Sequence, residues 1–440
     1  MIDTDERAKM VQRALLVGAF TESSGKRDAE SLLAELEELV ETLGVPVIDR
    51  MLVQHRETHA RYLIGSGKAE EIAARVKEHG LDVIIFDNEL SPSQQRNWEK
   101  LTGVTVIDRT EVILDIFAHR AHTREARLQV ELAQLEYSLP RLTRAWGHLV
   151  RQGGGIGARG EGETQLEQDK RRVRNAIDRC RRELEHVRDA RATQRKDRKR
   201  APVPNAAIVG YTNAGKSSLL RRLTGADVFV EDKLFATLDT TTRKIALPNK
   251  QPLLLTDTVG FVRRLPHGLV EAFRATLEEA TLSDFLIHLL DASQPEVMEF
   301  YNTTMKVLAE LGADERRMLV VFNKIDRVAD AAALTALRRH FPRATFISVL
   351  TGEGLGALVE AIAAEVANGS VTCEVRIPQS ESGLIARIHR QARVLETEYF
   401  GDAVRLLAFM PARLAADCAP WRVDGDGEKR ARHPESLETK

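Results

Sequence analysis

The chain has 440 residues, 43% hydrophobic and 29% charged, with 64 Lys/Arg against 65 Asp/Glu. That balance fits folded cores, roughly two to four domains, and excludes a nucleic-acid affinity carried by global charge. The acidic start Met1–Glu6 lacks a signal-peptide core, and no apolar run reaches spanning length. Cys180, Cys373 and Cys418 are too scattered for a disulfide framework or zinc site, so reduced thiols in a cytoplasmic protein are expected.

The amino-terminal part alternates two patterns. Ala14–Phe20, Val45–Ile48, Asp82–Phe86 and Val104–Ile107 read as buried strands. Ser31–Leu43, Ser66–His79 and Ser91–Leu101 lie between them, each opened by a serine able to cap a helix. The alternation predicts an α/β domain with a largely parallel sheet over residues 1–120. Gly65, Ser66, Gly67 and Lys68 at a strand-to-helix turn allow a weak phosphate site, with a plain helix start as the simpler reading. His55/His59 and His119/His122 have ligand-like spacing but no third ligand, and read as surface or internally satisfied residues.

Residues 121–200 differ. Leu128, Leu132, Leu135, Leu139 and Leu142 are spaced 4, 3, 4, 3, and Val173, Ile177, Cys180, Leu184 and Val187 repeat that spacing. Two narrow seams with a short connection predict an antiparallel coiled-coil hairpin, its first helix ended or kinked by Pro140. The connection Gly153–Gly162 holds six glycines in ten residues. It cannot pack a core, so it either swings freely or moulds to a partner. Arg144, Trp146, His148, Arg151 and Arg159 flank it and can pair with phosphates and stack on bases. Residues 170–200 carry 14 Lys/Arg against 5 Asp/Glu. A solvated helix with internal ion pairs would account for that charge alone; beside a glycine–arginine tip, a cationic surface for RNA backbone is the stronger reading.

A short Ala201–Pro204 linker leads into a third unit, residues 203–368. The strand-like Asn205–Val209 runs into Gly210, Tyr211, Thr212, Asn213, Ala214, Gly215, Lys216 and Ser217, which reads G-x-x-x-x-G-K-S and opens a helix. Glycines let successive N–H groups converge on an anion at a helix N-terminus. Lys216 would reach the β- and γ-phosphates, and the Ser217 hydroxyl would ligate Mg²⁺. Phe235, Ala236, Thr237, Leu238 and Asp239 lie where a switch loop should come, with Thr237 the chosen second Mg²⁺ ligand and Thr240, Thr241 and Thr242 its competitors. Asp257, Thr258, Val259 and Gly260 follow the strand Leu253–Thr256, 40 residues beyond Ser217. The carboxylate would hold the metal through water, and the Gly260 N–H would meet the γ-phosphate. Asn323, Lys324, Ile325 and Asp326 follow the buried run Met318–Phe322. A carboxylate at Asp326 accepts from guanine N1–H and the 2-amino group, donors that adenine lacks. Ser348, Val349 and Leu350 would bring backbone N–H groups to guanine O6. Lys216, Thr237 and Gly260 are thus the expected catalytic residues. These elements predict a doubly wound P-loop domain with ligands at the carboxyl ends of its strands.

A small α+β unit follows over residues 371–412: strand-like Cys373–Ile377, helix-like Ser382–Leu395 and strand-like Ala403–Phe409. The remaining 413–440 read as a disordered tail.

The nucleotide elements, with Gly153–Arg171 and Tyr62–Lys68, resemble the HflX family of translation-factor-class GTPases over roughly residues 10 to 412. The glycine-rich segment leading into Glu163–Lys170 is highly specific to that family. The resemblance implies a multidomain α/β protein: an N-terminal α/β domain, a helical hairpin, a G domain and a small C-terminal domain. It also implies GTP and GDP as ligands, association with the large ribosomal subunit and its rRNA through residues 121–200, and splitting or rescue of stalled ribosomes under stress. A monomer is expected. ATP binding by the N-terminal domain is the alternative, as an RNA-remodelling module; a GTP-switched protein scaffold is another. Two departures from the family pattern stand out: Val349 replaces a small alanine, and the chain is atypical after Pro411; separately, Phe261 stands where Ras-like GTPases place a water-orienting glutamine. A phenyl ring cannot hold water, so slow unaided hydrolysis, accelerated by ribosomes, is expected.

Overall fold

The computed structural model describes residues 13–22, 25–144, 159–199, 203–225, 235, 240–248, 251–264, 280–313, 317–368 and 370–423. Among these the strands form three sheets. The first takes β1 (Ala14–Phe20), β2 (Val47–Gln54), β3 (Val83–Phe86) and β4 (Thr105–Asp108) in the order β2-β1-β3-β4, all parallel. Parallel neighbours need crossovers, and the chain supplies helices α1 (Lys26–Thr42), α2 (Ser66–His79) and α3 (Pro92–Thr102). β1 is buried throughout, as a strand covered on both faces must be.

Of the three serines expected to cap helices, one does so. Ser91 forms a capping box with Gln94. Ser31 lies inside α1, which starts at Lys26 after Gly25 because Ala29, one turn before Leu32 and Leu33, carries the buried stripe upstream. Ser66 is the first helical residue, with Gly65 as the cap. Lys68 pairs with Glu71 at 2.6 Å on the exposed surface of that helix, in keeping with a plain helix start. A further helix, α4 (Arg109–Arg120), capped by Asp108, closes the domain.

Helix α5 (Arg124–Ser138) passes into a 3₁₀ turn, Leu139–Arg144, that contains Pro140. Its partner α6 spans Arg159–Lys199, so the helical backbone reaches back into the glycine-rich stretch as far as Arg159. Residues 145–158 lie outside the described residues. Leu128 and Leu132 pack with Ile177, Cys180 and Leu184, flanked by Leu135, Leu139, Val173 and Val187. Cross-helix pairs Arg124–Glu183 and Arg179–Glu131 run in antiparallel order along this seam.

The second sheet takes β5 (Asn205–Gly210), β6 (Thr241–Ala246), β7 (Pro252–Asp257), β8 (Phe285–Asp291), β9 (Arg317–Asn323) and β10 (Thr345–Phe346) in the order β10-β9-β8-β5-β7-β6. Only the β6–β7 pairing is antiparallel. Helices α7 (Lys216–Thr224), α8 (Val297–Glu310), α9 (Ala331–His340) and α10 (Leu355–Asn368) accompany it.

The third sheet is antiparallel: β11 (Ser370–Pro378), β12 (Arg393–Phe400) and β13 (Ala403–Pro411), ordered β11-β13-β12. Helix α11 (Ser382–Gln391) stops before Leu395, which is exposed on the edge strand β12. The expected disordered tail from 413 is corrected as far as residue 423. Helix α12 (Ala412–Asp417) and a 3₁₀ turn, Ala419–Trp421, cover the sheet, because Leu414 and Cys418 are fully buried in its core. No described helix is long and apolar enough to cross a membrane.

Candidate nucleotide site

Strand β5 delivers the loop Gly210–Gly215, and α7 begins at Lys216. Two glycines are dictated by contact as well as by backbone. Gly210 has φ 151°, and a Cβ there would sit 2.1 Å from the Leu289 carbonyl oxygen. Gly215 has φ 95°, and a Cβ would lie 2.5 Å from the Asn323 amide nitrogen. Any side chain at either position would push the loop off the neighbouring strands.

Lys216 is 6% exposed and its Nζ donates to the carbonyls of Gly210 (3.1 Å) and Tyr211 (2.8 Å). An ammonium has three donors, so one remains for a phosphate. Burial lowers its pKa to about 8, against the pull of Asp257. Phosphate binding needs the charged form. Nucleotide affinity is therefore expected to be flat below pH 8 and to weaken above it, by up to about tenfold per pH unit, while the free site loses its proton. Titrating GDP binding between pH 6.5 and 9.5 checks this; a flat profile would contradict it.

Ser217 Oγ donates to Asp257 Oδ2 at 2.6 Å, which brings together two of the three residues expected around the metal. Thr258 is fully buried and its hydroxyl donates to the Ile208 carbonyl, fixing the strand end next to the loop. Gly260 is pressed against the loop: a Cβ would lie 2.7 Å from Thr212 Cγ2 and 2.9 Å from Lys216 Nζ. Phe261 then bridges to the loop, its N–H donating to Gly210 O and its carbonyl accepting from Thr212 N–H. Its ring is 2% exposed, in the core shared with Tyr211, Phe235 and Val259. Phe235 meets Phe117 of α4 edge-on at 4.6 Å. Ala236, Thr237, Leu238 and Asp239 lie outside the described residues. Of the competitors, Thr241 and Thr242 belong to β6, and the Thr242 hydroxyl is bonded to that of Thr256.

The residues expected to read the base converge from two other strand ends. Asn323 is 2% exposed and works in both directions: Nδ2 donates to Ala214 O (2.9 Å), and Oδ1 accepts from Val349 N–H (3.1 Å). One side chain thereby ties the Gly210–Gly215 loop to the segment around Val349. The Val349 N–H is committed to Asn323 here, so it does not stand free for guanine O6. Ser348 is buried and accepts from Thr351 N–H, while Leu350 is 77% exposed. Lys324 has φ 61° and pairs with Asp291 at 2.8 Å. Ile325 and Asp326 lie in a 3₁₀ turn, Ile325–Arg327, with Asp326 exposed.

Sequence reading passed over three residues. Asp291 ends the apolar strand β8, a signal that was available. Fully buried His288 stacks on Tyr301, and burial with nearby Lys216 lowers its pKa to about 3, so it stays neutral. Arg263 lies three residues past the D-x-x-G element and turns away from the loop towards α1, bonding Glu35 through Nε at 2.9 Å.

Comparison with known proteins covers the same three regions. Residues 30–118 match the family described as GTP-binding GTPase N-terminal, 120–198 the GTP-binding GTPase middle region, and 205–324 the 50S ribosome-binding GTPase family. The chain is 51% identical over 423 residues to GTPase HflX of Akkermansia muciniphila, covering 93% of this chain and 97% of that protein. It is 45% identical to GTPase HflX of Lacrimispora saccharolytica, covering 95% and 98%. Against GTPase HflX of Escherichia coli the identity is 43%, covering 91% and 94%.

Proposed function

Because this chain belongs to the HflX family of GTPases, and so binds and hydrolyses GTP, we propose that its GTP cycle times an attachment to the large ribosomal subunit that splits or rescues stalled ribosomes. The observation that carries this reading is the hairpin. Helix α6 is long, strongly basic and joined to the nucleotide domain by only a short linker. Cationic side chains along one helix neutralise successive phosphates, and the resulting affinity is steeply salt-dependent. The match of residues 205–324 to the 50S ribosome-binding GTPase family supports the same partner.

The donor set fits Mg²⁺, since the hydroxyl of Ser217 and the carboxylate of Asp257 are hard oxygen ligands already in contact. Ser217 would hold the ion directly, Asp257 through water, and Thr237 would be the second hydroxyl ligand. When bound, the ion neutralises charge on the β- and γ-phosphates. The chain's own part is to cradle the phosphates on the loop N–H groups, to place the Lys216 charge against them and to hold guanine at Asp326. Phe261 supplies no group to orient water. Hydrolysis is therefore slow until the ribosome orders the switches or supplies the missing group.

A ribosome-splitting assay tests this. Wild type with a GTP analogue should convert stalled ribosomes to subunits, whereas GDP should not. A variant shortened across Gly153–Gly162 should bind GTP normally and fail to split. GTP turnover should rise at least about tenfold with large subunits. Equal turnover with and without subunits, or equal sedimentation with ribosomes in both nucleotide states, would refute the reading, the latter in favour of a scaffold.

A further inference from the structure

The N-terminal domain reaches into the nucleotide site through one buried carboxylate. Glu35 on α1 is 8% exposed, and three groups from elsewhere converge on it. Its Oε1 accepts from the Tyr211 hydroxyl at 2.7 Å and from Arg109 at 2.7 Å; its Oε2 accepts from Arg263 Nε at 2.9 Å. The Tyr211 oxygen in turn accepts the backbone N–H of Arg263 at 2.6 Å. Tyr211 is the second residue of the phosphate loop, and Arg263 lies three residues past Gly260. Burial, then the Glu35 carboxylate, raises the Tyr211 pKa well above the usual phenol, so its hydroxyl remains a donor. Asp87, at the carboxyl end of β3, accepts from Arg109 and Arg264 at 2.8 Å each. It stands where the strand order of the first sheet reverses between β1 and β3, the usual place for a ligand in such a sheet. Here that place is taken by the protein's own Arg264.

The consequence falls on the third phosphate. Gly260 touches Lys216 so closely that not even a methyl group fits between them, and Phe261 is hydrogen-bonded to Gly210 and Thr212 on both sides. A β-phosphate seated in the loop leaves this arrangement alone. A γ-phosphate must enter between Lys216 and Gly260, so Gly260 and Phe261 must retreat. The retreat strains the Arg263 hold on Tyr211 and Glu35. A buried carboxylate that loses a paired arginine pays a desolvation cost, so the network resists the triphosphate and is indifferent to the diphosphate.

We infer that Glu35 is a specificity-determining residue of the nucleotide site, setting the ratio of GTP to GDP affinity through Tyr211 and Arg263. The inference uses only the guanine-nucleotide chemistry of the family and does not rest on the ribosomal reading. By linkage, anything that displaces the N-terminal domain from Arg263 shifts the same ratio.

The test is the dissociation constant of the full chain for GDP and for a non-hydrolysable GTP analogue. Glu35→Gln keeps the shape and removes the charge; it should raise the ratio of GTP-analogue to GDP affinity roughly tenfold, with GDP affinity within about twofold of wild type. Tyr211→Phe removes one hydroxyl and leaves every ion pair in place; it should move the ratio the same way by roughly threefold. If Glu35→Gln does not fold, Tyr211→Phe decides alone. Equal changes in both affinities mark a merely structural role and overturn the inference, as does an unchanged ratio in folded protein.

Discussion

Lys216→Ala is expected to lose GTP and GDP affinity by about 2–5 kcal/mol, the cost of removing one member of a buried charge pair. That corresponds to roughly thirty-fold to several-thousand-fold in the dissociation constant. Two losses combine. The ammonium no longer neutralises phosphate charge, and the loop loses the bonds from Nζ to the Gly210 and Tyr211 carbonyls that hold its curl. Those carbonyls would otherwise face the bound anion. Fluorescence titration with a GDP analogue checks the effect, and thermal unfolding supplies the control. Wild type should gain several degrees in saturating GDP and the variant almost none, with similar unliganded midpoints. A variant binding within threefold of wild type would show that backbone N–H groups and the helix dipole suffice. The expected pH dependence comes from the same atom, so a profile that turns near pH 8 in wild type and vanishes in the variant would join the two results.

How much of this was legible in the sequence depends on range. Gly210–Ser217, Asp257–Gly260 and Asn323–Asp326 are contiguous, and their requirements are local: a positive φ, a strand end, a helix start. The hairpin seam was legible for the same reason, since a 4, 3 spacing describes one face of a helix without reference to anything else. Helix starts were less so. Ser31 looks like a cap until buried Ala29 shows the stripe continuing upstream. The end of the chain failed differently: residues 424–440 are strongly charged, and with them the short apolar stretch holding Leu414 and Cys418 reads as tail until the sheet it covers buries it. Least legible was Glu35, which sits inside an acidic helix that reads as solvated surface. Its partner Arg263 is 228 residues away, and no periodicity encodes such a contact. The motifs thus named the ligand, while its control by another domain lay in pairs that only the folded chain brings together.

Asp326→Asn is expected to exchange guanine for xanthine. Guanine offers two donors, N1–H and the 2-amino group, and a carboxylate accepts both. Asparagine retains one acceptor and presents an amide N–H, which faces the 2-amino group donor to donor. Leaving that pair buried and unbonded costs about 1–3 kcal/mol, and the lost charge-assisted bond adds about as much. GTP affinity should therefore fall on the order of a hundredfold or more. Xanthine carries a carbonyl at the same position, which accepts the new N–H, so XTP should bind the variant better than GTP and be hydrolysed in its place. The surroundings make this a clean exchange. Asp326 is exposed in a 3₁₀ turn with no described intramolecular bond from its side chain, while Asn323 and the Lys324–Asp291 pair hold the loop independently. The fold should therefore be unaffected, and competition of GTP, XTP and ATP against a labelled guanine nucleotide reads the base preference directly. If the variant lost GTP without gaining XTP, Asp326 would be shaping the loop rather than reading the base. Recovery of GTP-type activity with XTP as the sole nucleotide would separate base recognition from everything the phosphate loop and the N-terminal domain contribute.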